Sequence, residues 1–243
     1  FGEAFIHKIL GIIVLYIVAK SMSFNCENIG FIRRKAIFYL GQGLLFGIFI
    51  YSISYGIEVL INISHGQFKS LEFYVSTYSV EGNIGKQTAI IFFIICILGN
   101  IINVIMEEGI FRGLFQKLFE QKYNFLLSAI LSSLLFGFWH VVAPLRSYYD
   151  GTISFEEMFI NIIILVVTST LVGFKFSMMT KLTGSLYMSM GDHFVNNSII
   201  NILHIVSKDG SIDKLLVMRI SIAQTLSFLI VLIYFKLSRN ECS

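Results

Sequence analysis

The sequence predicts an all-α membrane protein, a polytopic bundle of about seven transmembrane helices that forms a single domain over residues 1–243. Hydrophobic residues make up 56% of the chain and charged residues only 14%, whereas soluble domains are about one-quarter charged. The apolar residues occur in long runs without the two-residue alternation of strands, and such runs predict helices. Since only helices and closed barrels satisfy their backbone hydrogen bonds inside a bilayer, these runs predict membrane spans.

A helix needs about 20 apolar residues to cross a bilayer, and we count seven stretches that meet this need. They cover approximately residues 4–22, 36–62, 87–120, 125–145, 157–176, 182–206 and 215–236. The second and third are longer than a bilayer requires, so we expect them to tilt, break or project beyond it. Short polar connections join the spans, and the longest of these runs from Ser64 to Lys86.

The charge of the chain argues against some classes of partner. The net charge is only +3, and the chain has neither a basic stripe nor a basic–aromatic RNA-binding pattern, so we expect no nucleic-acid partner. The expected partner is the lipid bilayer. An abundance of Phe, Ile, Asn and Lys is typical of AT-rich bacterial genomes, which favours an integral, multi-pass location in a bacterial cytoplasmic membrane.

Two adjacent carboxylates, Glu107 and Glu108, lie in one of the most apolar stretches of the chain. A charged side chain at the bilayer centre costs at least about 2.5 kcal/mol, so such residues indicate a functional site with partners. Arg112 lies one helical turn after Glu108 and can form an ion pair with it, whereas Glu107 points about 100° away. The ion pair of Glu108 with Arg112 could serve only to stabilise a helix end, but this interpretation leaves Glu107 unexplained.

Two histidines on other predicted spans are expected at the depth of the glutamates. Glu107 precedes the turn near Lys122 by about 15 residues, and His140 follows it by about 17, which places both roughly 22–26 Å along antiparallel helices. His193 is expected at a similar depth on the sixth span. A lone histidine in an apolar helix is more often a packing residue than a catalytic one, so His140 alone would carry little weight.

The sixth predicted span carries an unusual concentration of polar residues. His193 and Asn197 are one turn apart and share a face, and Asp192 and Asn196 lie beside them. Asparagines can join membrane helices by hydrogen bonds, but four polar residues within six exceed that need. His7, His65 and His204 fit no motif, and we expect them at the surface or at the membrane interface.

These residues form three ordered motifs: Glu107-Glu108-x-x-x-Arg112, Phe136-x-x-x-His140 and His193-x-x-x-Asn197. In order and spacing they resemble the motifs of the CAAX-protease and bacteriocin-processing (CPBP, or Abi) family of intramembrane proteases. Phe111-Arg112-Gly113-Leu114 also resembles that family's continuation of the first motif. The resemblance covers a predicted catalytic core over approximately residues 90–206.

The resemblance implies an intramembrane endopeptidase that hydrolyses a membrane-associated peptide or protein precursor. Its substrate would be a CAAX-type peptide or, in bacteria, a bacteriocin or signalling-peptide precursor. The resemblance further implies that Glu107 activates a water molecule with the help of His140, and that His193 and Asn197 bind the developing oxyanion. Arg112 and Glu108 would organise the site.

Several alternatives stay open. A glutamate and two histidines could make a three-ligand zinc site from Glu107, His140 and His193, but the chain has no His-Glu-x-x-His helix, and we favour a mechanism that requires no cofactor. A non-catalytic binding or immunity protein could use the same scaffold. A proton-coupled transporter is a third reading, and the absence of inverted repeats in the sequence counts against it.

Overall fold

The computed structural model describes residues 2–77 and 84–240, and there the predicted all-α bundle is confirmed. The helices and strands, in chain order, are α1 (Gly2–Ser21), α2 (Ala36–Ser64), β1 (Phe68–Phe73), α3 (Ile90–Glu108), α4 (Gln116–Glu120), α5 (Phe125–Trp139), α6 (Val142–Tyr149), α7 (Phe155–Thr183), α8 (Tyr187–Ile202), β2 (Leu203–Ser207) and α9 (Leu216–Asn240). Each of the seven predicted spans therefore contains a helix.

Five helical segments in the described residues are long and apolar enough to cross a membrane. They are Arg33–Ser64, Ile90–Glu120, Phe125–Tyr149, Phe155–Thr183 and Leu216–Ser238. Their outward faces carry large exposed apolar side chains such as Ile37, Ile90 and Val217, which are 90%, 73% and 79% exposed. Apolar exposure on this scale is expected where lipid takes the place of water.

Two of the predicted spans are not continuous α-helices. In the third span, a π-helical segment (Gly109–Phe115) separates α3 from α4 and contains Arg112. Wide turns of this kind are often found at functional sites. The fourth span was predicted to cover residues 125–145, but its helix is interrupted after Trp139 and continues as α6 to Tyr149. His140 lies at this interruption.

Close contact between α2 and α8 places α8, which carries the polar residues of the sixth predicted span, in the middle of the bundle. A side-chain carbon on Gly43 would lie 2.1 Å from the backbone oxygen of Met188, and one on Gly191 would lie 2.6 Å from that of Leu40. Glycine at both positions lets the two backbones touch. The polar residues of α8 are thereby surrounded by helices instead of lipid.

The end of the sixth predicted span is a strand, which corrects the all-helical prediction for residues 203–206. β2 pairs antiparallel with β1, from Phe68 opposite Ser207 to Phe73 opposite Leu203. β1 lies in the long Ser64–Lys86 connection, for which we predicted no strand. A two-residue hydrophobic pattern over five or six residues is too short to distinguish from the end of an apolar helix, which explains the error.

A buried ionic network fastens this strand pair to the bundle and corrects the prediction for His204. His204 is buried, and its Nδ1 lies 2.6 Å from Asp213 Oδ2, while Arg219 of α9 donates to both Asp213 and Glu58 of α2. Burial alone would raise the pKa of the Asp213 carboxyl, but hydrogen bonds from His204, Ile205 and Arg219 hold it below its usual value. His7 and His65 are exposed, as predicted.

The contact between α2 and α8 can be tested by adding one methyl group. We expect Gly43→Ala to lower the free energy of unfolding by about 1–3 kcal/mol, because the new carbon overlaps a backbone oxygen that cannot move freely. Gly41→Ala is the control, since it lies on the same helix with open space around it. Thermal unfolding in detergent measures both, and equal stability of the two variants would contradict the close contact.

Candidate active site

The two glutamates lie at the end of α3 and face the interior of the bundle. Glu107 is 5% exposed and Glu108 is fully buried. Although they are adjacent in sequence, they have different partners, because successive residues on a helix point in directions about 100° apart. Glu108 contacts Arg112, whereas Glu107 contacts Asn103. Each glutamate also has an oxygen close to a ring nitrogen of His193, which belongs to α8.

Glu108 is held by an ion pair and by a hydrogen bond. Its Oε1 lies 3.3 Å from Arg112 Nη1 and 2.9 Å from His193 Nδ1. The predicted ion pair between residues i and i+4 is thus confirmed, although Arg112 lies in the π-helical segment. Since a carboxylate accepts hydrogen bonds, the contact at 2.9 Å places a proton on His193 Nδ1.

Arg112 is fully buried between aromatic rings. Its guanidinium carbon lies 4.1 Å from the ring centre of Phe136 and 5.2 Å from that of Phe176, within the range of cation–π attraction. Gly173 of α7 leaves room for it, because a side-chain carbon there would lie 2.8 Å from Arg112 Nη2. The charge is therefore stabilised by Glu108 and by two ring faces.

Glu107 has the more accessible and more weakly held carboxylate. Asn103, one turn earlier on α3, donates to its Oε2 at 3.2 Å, and His193 Nε2 lies 3.4 Å from the same oxygen. Neither partner carries a permanent charge. Glu107 thus lacks the permanently charged partner that Glu108 has in Arg112.

His193 lies between the two carboxylates, with one ring nitrogen toward each. Its ring stacks on Phe176 at 4.9 Å and meets the edge of Phe136 at 6.1 Å. The ring is thus held between two carboxylates and two aromatic side chains.

His140 occupies the interruption between α5 and α6 and is half-buried. Its Nδ1 donates to the backbone oxygen of Phe136 at 2.8 Å, and its ring meets the edge of the Phe136 ring at 4.7 Å. In the neutral ring this leaves Nε2 as a lone-pair acceptor. Over the described part of the chain, no hydrogen bond joins His140 to the glutamates, and Phe136 connects it to His193.

Asn197 lies one turn after His193 on the same face of α8 and is 6% exposed. Its Oδ1 accepts a hydrogen bond from Asn196 Nδ2 at 3.0 Å. Within residues 2–77 and 84–240, its Nδ2 donates no hydrogen bond of its own. The six residues proposed from the sequence, Glu107, Glu108, Arg112, His140, His193 and Asn197, thus come from three helical segments and one helix break.

Two polar side chains close to the site were not predicted from the sequence. Asn103 was not recognised as a partner of Glu107, although it lies one turn before it on α3. Lys175 of α7 forms a buried ion pair with Asp192 of α8, with 2.7 Å between Nζ and Oδ2. The available signal was a lysine inside the fifth predicted span and an aspartate inside the sixth.

The proposed zinc ligands do not form a ligand set in this structure. Among the described residues, no group of three His, Cys, Asp or Glu side chains is placed to hold a metal ion. His193 directs its Nδ1 toward Glu108, and His140 directs its Nδ1 toward a backbone oxygen. We therefore derive no chemical step through a metal.

Carboxylates, imidazoles and an amide meet inside a membrane-type helical bundle, and groups of these types can act as proton acceptors and as hydrogen-bond donors in hydrolysis. The family model of the type II CAAX prenyl endopeptidase Rce1-like proteins matches residues 88–199. This range contains all six candidate site residues, overlaps the predicted core and confirms the family resemblance. The match points to a peptidase. No curated protein and no solved structure matches the chain.

The ion pair of Arg112 is expected to stabilise the fold strongly. Arg112→Met should lower the free energy of unfolding by about 3–5 kcal/mol, because it leaves a buried carboxylate without its cation. Arg146→Met is the matched control: it breaks an exposed pair with Asp150 at the same i,i+4 spacing, and such pairs contribute at most about 1 kcal/mol. Thermal unfolding in detergent compares them, and a small effect in both would contradict the role of Arg112.

Proposed function

We propose that this protein is an intramembrane endopeptidase in which Glu107 activates the water that attacks a peptide bond. The observation that carries the proposal is the division of labour between the two glutamates. Glu108 is tied to the permanent charge of Arg112, whereas Glu107 has only an amide and an imidazole beside it. A base must take up a proton and release it again, which suits Glu107.

In the first step, the carboxylate of Glu107 takes one proton from a water molecule as the water oxygen bonds to the substrate carbonyl carbon. His140 assists by accepting a hydrogen bond from the second water hydrogen at Nε2, the nitrogen left free by its bond to Phe136; that hydrogen stays on the oxygen. His140 is half-buried, so a water molecule that bridges it and Glu107 can approach from the side of the helix break.

The carbonyl oxygen becomes negatively charged in this step and needs donors. Asn197 Nδ2 and, when the ring is doubly protonated, His193 Nε2 supply them from one face of α8. Glu108 and Arg112 hold the orientation of the His193 ring from the opposite nitrogen. Fixed donors in a water-excluded site stabilise an oxyanion without reorganising, which is why their rigidity matters.

In the second step, the carbon–nitrogen bond breaks. The proton held by Glu107 passes to the leaving amine nitrogen, which restores the Glu107 carboxylate and releases an amine and a carboxylic acid; the acid then loses its proton to solvent. Water is the only co-reactant, so the proton count closes over the cycle. No residue changes oxidation state.

The substrate that we propose is a membrane-associated precursor whose cleavage site can reach a polar pocket within the bundle. A prenylated peptide of the CAAX type fits the matched family, and a bacteriocin or signalling-peptide precursor fits the bacterial composition of the chain. A location in a bacterial cytoplasmic membrane is part of this proposal.

Cleavage by the purified protein in liposomes tests the proposal, with a fluorescence-quenched farnesylated peptide ending in a CAAX sequence and a candidate peptide precursor as probes. Glu107→Gln should lower kcat by about 10²–10⁴-fold, because it removes the proton acceptor, and His140→Ala by about 10²-fold, because it removes the group that orients the water. His65→Ala, which alters an exposed histidine, should keep wild-type kcat.

Three outcomes distinguish the proposed mechanism from a non-catalytic binding protein and from a zinc-dependent enzyme. Normal cleavage by both site variants would overturn the assignment of Glu107 and His140. A folded wild-type protein that binds but cleaves neither probe would favour a non-catalytic binding protein. Complete loss of activity with a chelator, restored by zinc, would replace the metal-free mechanism by one that uses Glu107, His140 and His193 as ligands.

A further inference from the structure

We propose that Gln224 of α9 is a positioning residue that, through Asn196, fixes which end of the Asn197 side-chain amide faces the substrate. This inference rests on the proposed role of Asn197 as an oxyanion donor. The two ends of a side-chain amide have nearly the same shape, yet only the nitrogen can stabilise an oxyanion. Something in the protein must therefore select the nitrogen end.

The selection begins at Lys175, which can only donate. Its ammonium group is held in place by Asp192 at 2.7 Å and donates to Gln224 Oε1 at 3.1 Å. Because an ammonium group has no acceptor, the oxygen of Gln224 must face it. The nitrogen of Gln224 is thereby turned the other way.

The orientation of the Gln224 amide then determines that of Asn196, which in turn determines that of Asn197. Gln224 Nε2 donates to Asn196 Oδ1 at 2.6 Å, and the buried hydroxyl of Tyr51 on α2 donates to the same oxygen. With its oxygen occupied by two donors, Asn196 turns its Nδ2 toward Asn197 and donates to Oδ1 at 3.0 Å. Asn197 is left with its oxygen engaged and its nitrogen available.

The chain of hydrogen bonds thus runs from a buried charge on α7, through α9, to the candidate donor on α8. Each amide has one permitted orientation once the lysine is in place. None of the residues before Asn197 needs to contact the substrate. Their effect on the reaction would be transmitted only by the orientation of the Asn197 side chain.

Kinetics of Gln224→Met and Asn197→Ala, singly and combined, test the proposal. We expect Gln224→Met to lower kcat by a few-fold, up to about tenfold, with little change in KM, which corresponds to the loss of one net hydrogen bond. Asn197→Ala should lower kcat by about 10²-fold. In the Asn197→Ala background, Gln224→Met should have almost no further effect, because residues that act through one another are not additive.

Ser227→Ala is the matched control. Ser227 accepts a hydrogen bond from the same lysine at 3.0 Å and donates to the backbone oxygen of Gln224 at 3.1 Å. Among the described residues it has no hydrogen bond with the three side-chain amides, so its removal should leave kcat unchanged. An unchanged kcat in Gln224→Met, or an equal loss in both backgrounds, would overturn the proposal. So would a loss of kcat in Ser227→Ala as large as that in Gln224→Met.

A measurement without substrate separates this proposal from the proposed function. With ¹⁵N-labelled asparagine, the side-chain NH₂ signal of Asn197 is identified in NMR spectra by its loss in Asn197→Ala. Gln224→Met should shift that signal, and Ser227→Ala should not. If no peptide is cleaved but the signal shifts, the proposed function fails while the positioning holds. A signal unaffected by Gln224→Met overturns the positioning.

Discussion

The buried contact of Arg112 with Glu108 is the constraint on which the rest of the site depends. The guanidinium and the carboxylate are both buried and lie 3.3 Å apart. The same carboxylate oxygen accepts a hydrogen bond from His193 Nδ1. Removing either charge would leave the other without a partner in a low-dielectric interior, at a cost of several kcal/mol. The pair therefore joins the end of α3 to the π-helical segment, and the hydrogen bond from His193 joins α8 to both. It also fixes the ring that faces Glu107.

A second constraint is that polar groups in a membrane bundle must satisfy one another. The structure does this in separate networks: Lys175 with Asp192 links α7 to α8, and Arg219 with Glu58 links α9 to α2. Close contact of glycines between α2 and α8 encloses the polar helix. Each of these buried charges thus has a partner of opposite charge close by, which offsets part of the cost of burying it.

The sequence predicted the helical bundle and the residues that meet at its centre, because charged side chains in apolar runs are rare enough to be informative. Glu108, Arg112 and His193 were placed together by helix spacing alone, and the structure agrees. The sequence did not reveal the strand pair, since residues 203–207 are as apolar as a helix end. His204 was placed at the surface because its partner Asp213 comes from a turn that helix periodicity does not describe. Gln224 was missed because its neighbours are brought by tertiary packing.

The unfolding temperatures of Glu107→Gln and Glu108→Gln test the central claim most directly, that the two adjacent glutamates have separate roles. The account predicts that Glu108→Gln lowers the unfolding temperature strongly, because it leaves the buried charge of Arg112 unpaired. Glu107→Gln should unfold near the wild-type temperature, since an amide oxygen can still accept from Asn103. Equal losses in the two variants, or a larger loss in Glu107→Gln, would contradict the division of roles.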